Sequence, residues 1–433
     1  MSEPGGWRRL YPLSPIVRGG RGTIGIVILL LPALLRGGIS AGDLVPLGVI
    51  ALITLLGFVS WFVTRWTIDG DDLRIETGVL RRRSLRFPLS QVQAIDILRP
   101  GLGRLLGAAE LRLRMGGSSG GAARLSYVAA GEVEALRTRL LALAHGAPPD
   151  QATAAAVAAD EHVLTTVPTA RLIASILISD VGFYAEAVLA ALIVTALLAP
   201  AVASAVISGG GLVWLLGVIT VTWRRFNLEY RLTVADAPDG LRLSGGLVSL
   251  TSETIRPGRV QAVRMVEPLL WRPFGWCRLQ VDLAGGRQPS DGDGTAQRRQ
   301  LRVVLPVGRR PLVEHVLDRI VPDRPQHQSP PPRRVRFKSP LRYRMLAWGG
   351  TDACMVTTSG RVRRVTCWVP LEKVQSLRRV QGPVQRRLNL ATVHVDTAGR
   401  AVRAALRDRD ADEADQALAD YVELARAARR ARG

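Results

Sequence analysis

Two clusters of arginines are the residues of this sequence best suited to chemistry. Each cluster follows a glycine, Gly78 or Gly360, and together they comprise Arg81, Arg82, Arg83, Arg361, Arg363 and Arg364. A guanidinium group is always charged and donates paired hydrogen bonds to a phosphate or carboxylate. The clusters are therefore the best candidates for a functional contact. A solvated basic face near a negatively charged membrane is an equally open alternative, because each arginine near such a surface is attracted by about 1 kcal/mol.

No motif of a catalytic or metal-binding type accompanies these arginines. The sequence lacks a glycine-rich phosphate loop, H-E-x-x-H, C-x-x-C and G-x-S-x-G, and its five histidines are scattered without ligand spacing. Cys354 and Cys367 could meet across two strands, but two small core residues are favoured over a metal or redox site. The sequence thus predicts no catalytic residue, no metal site and no cofactor.

Charge and composition restrict the class of protein. The 433 residues carry 58 Lys and Arg against 36 Asp and Glu, a net charge of +22, and 47% of them are hydrophobic. That apolar content excludes a disordered chain. Three cysteines without a pairing pattern exclude a disulfide-stapled secreted domain. The arginines are spread along the chain without an aromatic stacking pattern or a recognition helix, so we expect no nucleic acid as a partner.

Two pairs of apolar segments predict transmembrane helical hairpins. Residues 22–64 include Leu44–Thr64, which is 21 residues without a charge and spans a hydrocarbon core of about 30 Å. Residues 181–223 form the second pair, interrupted by Glu186 and a triple-glycine turn. A buried helical core in a soluble domain is the alternative for this second pair. The flanking arginines predict a multi-pass protein of the inner (cytoplasmic) membrane with both termini in the cytoplasm.

Three stretches outside these segments repeat one another. In each, a glycine precedes the glutamine of a Val-Gln pair by 15 residues: Gly78 and Gln93, Gly246 and Gln261, Gly360 and Gln375. A further 14 residues along the chain stand Gly107, Gly275 and Asn389. Two spacings kept three times indicate an internal repeat. Alternating apolar residues predict antiparallel strands in each repeat, and apolar residues three and four apart predict a closing helix in Gly131–Ala144, Arg310–Ile320 and Ala411–Ala431.

The order of these features resembles a known family. Helical hairpins, the run GVLRRR, the patterns P-L-x-x-V-Q and R-x-x-G, a terminal helix and an opening LYPLSPIVRG resemble the bacterial pleckstrin-homology (PH) domain membrane proteins of the YdbS-like group. The resemblance implies PH-like domains in which a basic loop meets phosphates. Because the arginine clusters fall at that loop, the resemblance points to anionic lipid headgroups or an acidic partner as their contact. The second repeat departs from the pattern, because Val248, Ser249 and Leu250 occupy the place of the arginines.

The combined prediction is a membrane protein of α-helical hairpins and α+β cytoplasmic modules. It has four transmembrane helices and three PH-like β-barrels, each capped by a C-terminal helix. The expected domains are a cytoplasmic N-terminus (1–21), hairpin 1 (22–64), PH-like domain 1 (65–145), a linker (146–180), hairpin 2 (181–223), PH-like domain 2 (224–321), a Pro-rich linker (322–340) and PH-like domain 3 (341–433).

The predicted function is that of a non-enzymatic integral membrane protein. Its PH-like domains would mediate lipid, protein or self-interaction, in a scaffold or in envelope homeostasis. The expected partners are the lipid bilayer with its anionic headgroups, an unidentified membrane or cytoplasmic protein, and further copies of the chain in a homo-oligomer. The alternative is a small transporter or export accessory protein, because Asp180 and Glu186 lie at or near membrane depth, where acidic residues are often functional.

Overall fold

The computed structural model describes residues 8–9, 48, 55, 62, 65–69, 72–77, 83–115, 122–144, 162–179, 188, 190, 193–195, 197–199, 212–237, 240–283, 301–399 and 401–430. The chain divides into two compact units. Unit 1 comprises Met1–Glu161 with Val248–Thr254, and unit 2 comprises His162–Leu247 with Ile255–Gly433. A short segment that belongs to the second repeat in sequence therefore folds with the first.

The secondary structure follows the repeats closely. The strands are β1 (Arg8–Arg9), β2 (Arg65–Asp69), β3 (Asp72–Thr77), β4 (Arg83–Pro88), β5 (Val92–Arg99), β6 (Ala108–Met115), β7 (Ala122–Ala129), β8 (His162–Thr166), β9 (Thr233–Ala237), β10 (Gly240–Gly245), β11 (Leu250–Ile255), β12 (Val260–Pro268), β13 (Trp276–Leu283), β14 (Arg302–Arg309), β15 (Ala347–Gly350), β16 (Cys354–Ser359), β17 (Arg363–Pro370), β18 (Val374–Val380), β19 (Leu390–Thr397) and β20 (Ala404–Asp410). The helices are α1 (Gly101–Leu105), α2 (Val133–Ala144), α3 (Thr169–Leu177), α4 (Leu212–Glu229), α5 (Arg310–Ile320), α6 (Val335–Lys338), α7 (Pro383–Arg387) and α8 (Ala411–Arg430). Each repeat thus supplies six strands and a closing helix: β2–β7 with α2, β9–β14 with α5, and β15–β20 with α8.

Unit 1 is built around the first repeat. The strands β1 to β4 form one antiparallel sheet, and β7, β6, β5 and β11 are consecutive in a second. Leu73 and Ile75 on β3 are buried, while Arg74 and Glu76 pair at 2.9 Å on the other face, as the period of two in a half-buried strand requires. Helix α2 packs on β5, where the buried Arg137 donates to the Ile95 carbonyl at 3.2 Å.

Unit 2 contains the third repeat and most of the second. Its largest sheet has the order β14, β13, β12, β17, β16, β15, and a three-stranded sheet follows with the order β18, β19, β20. The helix α5 buries residues spaced by three and four, as the periodicity predicts: Val313, Val316, Leu317 and Ile320.

One backbone feature is common to all three repeats. Gly107, Gly275 and Asn389, the residues 14 positions after the Val-Gln glutamine, have φ angles of 67°, 63° and 50°. Asn is one of the few non-glycine residues that adopt this left-handed conformation readily. The departure of the third repeat from glycine therefore preserves the turn.

The prediction of four transmembrane helices is wrong. Among the residues that the structure describes, no helix is both long and apolar enough to cross a membrane. Helix α4 shows a physical reason: it carries Arg224, Arg225 and Glu229, so its described residues do not form an uninterrupted apolar segment. The same finding overturns the predicted multi-pass localisation in the inner membrane.

Much of the two predicted hairpins lies outside the described residues. This applies to residues 22–64 apart from Gly48, Leu55 and Phe62, and to most of 181–211. Asp180 and Glu186, on which the transporter alternative rests, are also outside them.

The prediction of closed PH-like barrels is wrong as well. The described strands form open sheets, in which β4 and β5 belong to different sheets and so do β17 and β18. Beside β6, β5 pairs with β11 of the following repeat and not with a strand of its own repeat.

A buried ionic network fixes the end of α4 in unit 2. Glu229 is only 6% exposed, and its carboxylate accepts hydrogen bonds from Arg278 and, at 3.4 Å, from Arg225. Burial and the nearby charge of Arg278 lower the pKa of Arg225. Glu229 therefore compensates two arginine charges where water is scarce.

Removing Glu229 should destabilise the protein strongly. The substitution Glu229→Ala leaves Arg278 uncompensated in a buried site, which costs about 3 kcal/mol of unfolding free energy. The matched control is Glu314→Ala, which removes an exposed partner of Arg310 and costs about 0.5 kcal/mol or less. Chemical denaturation measures both; equal losses would contradict the compensating role of Glu229.

The left-handed turn at Gly275 provides a second test. A Cβ at this position meets no atom within 4 Å, so Gly275→Ala should cost only the backbone strain, about 1 kcal/mol. Gly275→Asn should cost less, because Asn389 occupies the equivalent turn. Thermal or chemical unfolding measures the stability of the two variants. If the Asn variant is no more stable than the Ala variant, the turns at Gly275 and Asn389 are not equivalent.

Candidate functional site

The structure describes one of the two arginine clusters fully. Arg361 lies in the turn between β16 and β17, and Arg363 and Arg364 begin β17. Arg361 and Arg363 are exposed, and Arg364 is half-buried. Of the other cluster, Arg81 and Arg82 lie outside the described residues, and Arg83 begins β4.

Strand pairing holds the turn at Arg361 in place. The antiparallel ladder between β12 and β17 sets Pro268 opposite Arg363 and Glu267 opposite Arg364. Just beyond the ladder, the Leu269 amide donates to the Val362 carbonyl at 2.7 Å. The turn is therefore anchored on the 3-10 helix Leu269–Phe274 that follows β12.

The same 3-10 helix contributes a side-chain contact. Arg272 donates through Nη2 to the carbonyl oxygen of Arg361 at 2.7 Å. A third guanidinium group is thus brought beside Arg361 and Arg363.

Arg364 has a different environment from its two neighbours. Glu267 is 7% exposed and lies 3.9 Å from Arg364 and 3.5 Å from Arg310. It also accepts a hydrogen bond of 3.5 Å from the Cys277 thiol. Arg364 therefore helps to neutralise a buried carboxylate, whereas Arg361 and Arg363 are exposed.

Large apolar side chains are exposed around these arginines. Leu269, Leu270 and Phe274 are 49%, 40% and 52% exposed, and Val362 is 59% exposed. Trp271 between them is buried, so the 3-10 helix is fixed in the core while its neighbours face outward. We call the set Leu269, Leu270, Arg272, Phe274, Arg361, Val362 and Arg363 the basic–apolar surface.

Sequence reasoning found only part of this surface. Arg361 and Arg363 were predicted from their cluster, but Leu269, Leu270 and Phe274 were missed. The signal for them was the run LLWRPF, in which Leu269 and Phe274 stand where the first repeat has the smaller Gly101 and Leu106. The second repeat, whose turn at Val248 and Ser249 has no arginine, lacks the basic half of such a surface.

The comparison with protein families agrees with this architecture. The sequence model of the Bacterial PH domain family matches residues 23–144, 166–320 and 336–425. The chain belongs to the bacterial PH domain family. The repeated match confirms the resemblance to PH domains and the internal repetition. No curated protein and no solved structure matched the chain significantly.

Membership of the bacterial PH domain family favours a binding or scaffold role. PH-like domains are in general non-catalytic, and they commonly bind lipids or proteins. The described residues contain no group of three or more His, Cys, Asp and Glu that could hold a metal ion.

The cysteines belong to the apolar core. Cys354 lies opposite Pro370 and Cys367 opposite Thr357 in the ladder of β16 and β17, so the two thiols do not face each other. They also belong to different apolar clusters. Burial raises the pKa of Cys277 and Cys354 to about 12 and that of Cys367 to about 11.

The three thiols should be nearly inert in the folded protein. At pH 8 the reactive thiolate is a very small fraction of each, and the sulfur atoms are shielded from reagent. We expect an aromatic disulfide reagent to modify them slowly in native protein and all at once in denaturant. Rapid native labelling of any of them would show that it is outside the core.

Proposed function

We propose that the protein is a non-catalytic scaffold that binds anionic lipid headgroups through the basic–apolar surface of its third PH repeat. The observation that supports it is the alternation of exposed charge and exposed apolar area on one anchored turn, in Arg361, Val362 and Arg363. Arginines attract anionic headgroups, and adjacent apolar side chains enter the headgroup boundary. Membership of the YdbS-like group and a role in envelope homeostasis remain predictions.

Rigidity supports this assignment. The turn is hydrogen-bonded to the 3-10 helix through Leu269, and Trp271 holds that helix in the core. Little conformational entropy is therefore lost when the surface meets a headgroup. The net charge of +22 adds a long-range attraction to any anionic surface.

The alternative, a solvated basic face, predicts a different result. In that case any two exposed arginines contribute equally to the attraction between the protein and an anionic membrane. The chain offers a matched pair for this comparison in Arg342 and Arg344, which are exposed and two residues apart, like Arg361 and Arg363.

Vesicle binding by the full chain tests the proposal. Binding to phosphatidylglycerol vesicles, measured by co-sedimentation, should exceed binding to phosphatidylcholine vesicles and should fall as salt rises, because the Debye length is about 8 Å at physiological salt. The double variant Arg361→Ser with Arg363→Ser should bind about 30-fold more weakly, at about 1 kcal/mol per arginine. Arg364 is left intact because it serves Glu267.

The control is Arg342→Ser with Arg344→Ser, which should change binding only slightly. If the two double variants lose the same affinity, or if neutral vesicles bind as well as anionic ones, the basic–apolar surface is not the lipid contact. An additional variant, Phe274→Ser, should weaken binding by an amount that salt does not change.

A further inference from the structure

Neighbouring repeats are joined by the same strand pairing at two places. In unit 1, Leu98 of β5 pairs with Thr251 of β11. In unit 2, Val266 of β12 pairs with Val365 of β17. Leu98 and Val266 are each five residues after a Val-Gln glutamine, and Thr251 and Val365 are each five residues after the repeat glycine. The two junctions therefore share one register.

A second contact is repeated beside each ladder. In unit 2, the Leu269 amide donates to the Val362 carbonyl. At the equivalent place in unit 1, a Cβ on Gly101 would lie 2.6 Å from Val248 Cγ1 and 3.1 Å from the Val248 carbonyl oxygen. The turn after the repeat glycine thus sits on the helical turn of the preceding repeat in both cases, which defines one interface used twice.

In the third repeat, no described strand pairs with the outer edge of the equivalent strand. By position, β18 is the equivalent of β5 and β12, and it lies at the outer edge of its described sheet. Its Val380 is 46% exposed, whereas Val266, which pairs with Val365 of β17 at the equivalent position, is 1% exposed. An apolar residue that is buried at the junction of the second repeat is therefore exposed in the third.

In the first repeat, no described strand pairs with the outer edge of the complementary strand. By position, β4 is the equivalent of β11 and β17, and it is the outer strand of its described sheet. Its Leu85 is 48% exposed. One chain thus presents both halves of the interface once.

We propose that β4 of a second copy adds to β18, so that chains associate head to tail through the junction that already joins their repeats. The shared register sets Val380 opposite Arg83 of the second copy, Arg379 opposite its Ser84 and Arg378 opposite its Leu85. Such a contact is heterologous, so it builds rings or filaments and not closed twofold dimers. It uses neither Arg361 nor Arg363 and is independent of the lipid-binding proposal.

The charges on the two edges are compatible with this register. No two arginines lie directly opposite each other in the three pairs. Arg378 is already paired with Asp396 at 2.6 Å, and Arg379 with Asp415 at 2.7 Å. Shifting the strands by two residues in one direction would set Arg379 opposite Arg86, and shifting them in the other direction would set Arg378 opposite Arg83. Like charges therefore disfavour both neighbouring registers, as edge charges commonly do.

Cross-linking in trans tests the register. Full-length Val380→Cys and Arg83→Cys chains are purified separately, mixed and mildly oxidised; opposite residues of antiparallel strands are close enough for a disulfide. We expect a disulfide-linked heterodimer that neither variant forms alone. The matched control is Val380→Cys with Ser84→Cys, where the second cysteine points to the other face of the strand. Equal cross-linking in both mixtures, or none in either, would overturn the proposal.

Charge exchange tests the same pair without cross-links. Wild-type chain should show concentration-dependent association in analytical ultracentrifugation, and Val380→Arg should weaken it about fivefold or more, because like charges then face each other. The control Val163→Arg changes an equally exposed valine (55%) on the edge strand β8 and should have no effect. Mixing Val380→Arg chains with Arg83→Asp chains should restore association; failure to do so, or a monomeric wild type, rejects the pairing.

Discussion

Backbone pairing between consecutive repeats is the interaction on which the described structure depends. The first and second PH-like repeats each have a strand edge, on β5 and β12, that would otherwise leave a row of amide and carbonyl groups without partners. The next repeat fills that edge with β11 or β17 in one register. Because unpaired backbone groups are costly when buried, the second and third repeats complete a fold that the preceding repeat begins. The division of the chain, in which Val248–Thr254 belongs to unit 1, follows from this exchange.

The same junction positions the candidate binding surface. Arg361 and Arg363 are held in place because β17 pairs with β12 and its turn is anchored on Leu269. Arg364, from the same cluster, serves the junction itself through Glu267. Neighbouring arginines therefore have different environments: Arg364 lies beside a buried carboxylate, whereas Arg361 and Arg363 are exposed.

The sequence predicted the internal repeat, but it did not predict that strands of neighbouring repeats pair with each other. Fixed spacings predicted the three modules, and apolar periodicity predicted their closing helices. The third repeat has Asn389 where the other two have glycine, and its left-handed φ explains why asparagine can replace glycine there. The sheet partner of β17 lies almost a hundred residues earlier in the chain, and nothing local to Arg364 indicates Glu267. The first strand of each repeat was also missed, since β15 reads Ala-Trp-Gly-Gly without alternation.

Helix α4 shows a related limit of the sequence. The predicted membrane segment ended at Trp223, but α4 continues through Arg224 and Arg225 to the buried Glu229. Whether an apolar run forms part of a longer helix with charged turns depends on tertiary partners such as Arg278, which the local sequence does not show.

Native-state hydrogen exchange across β12 and β17 tests the central claim most directly. If the junction is part of both folds, the amides of β17 that face β12 should exchange only through the opening that also unfolds the β12–β14 strands, with the same free energy and the same denaturant dependence. Exchange of the β17 amides through a separate opening of much lower free energy, while β12–β14 remain protected, would contradict the account.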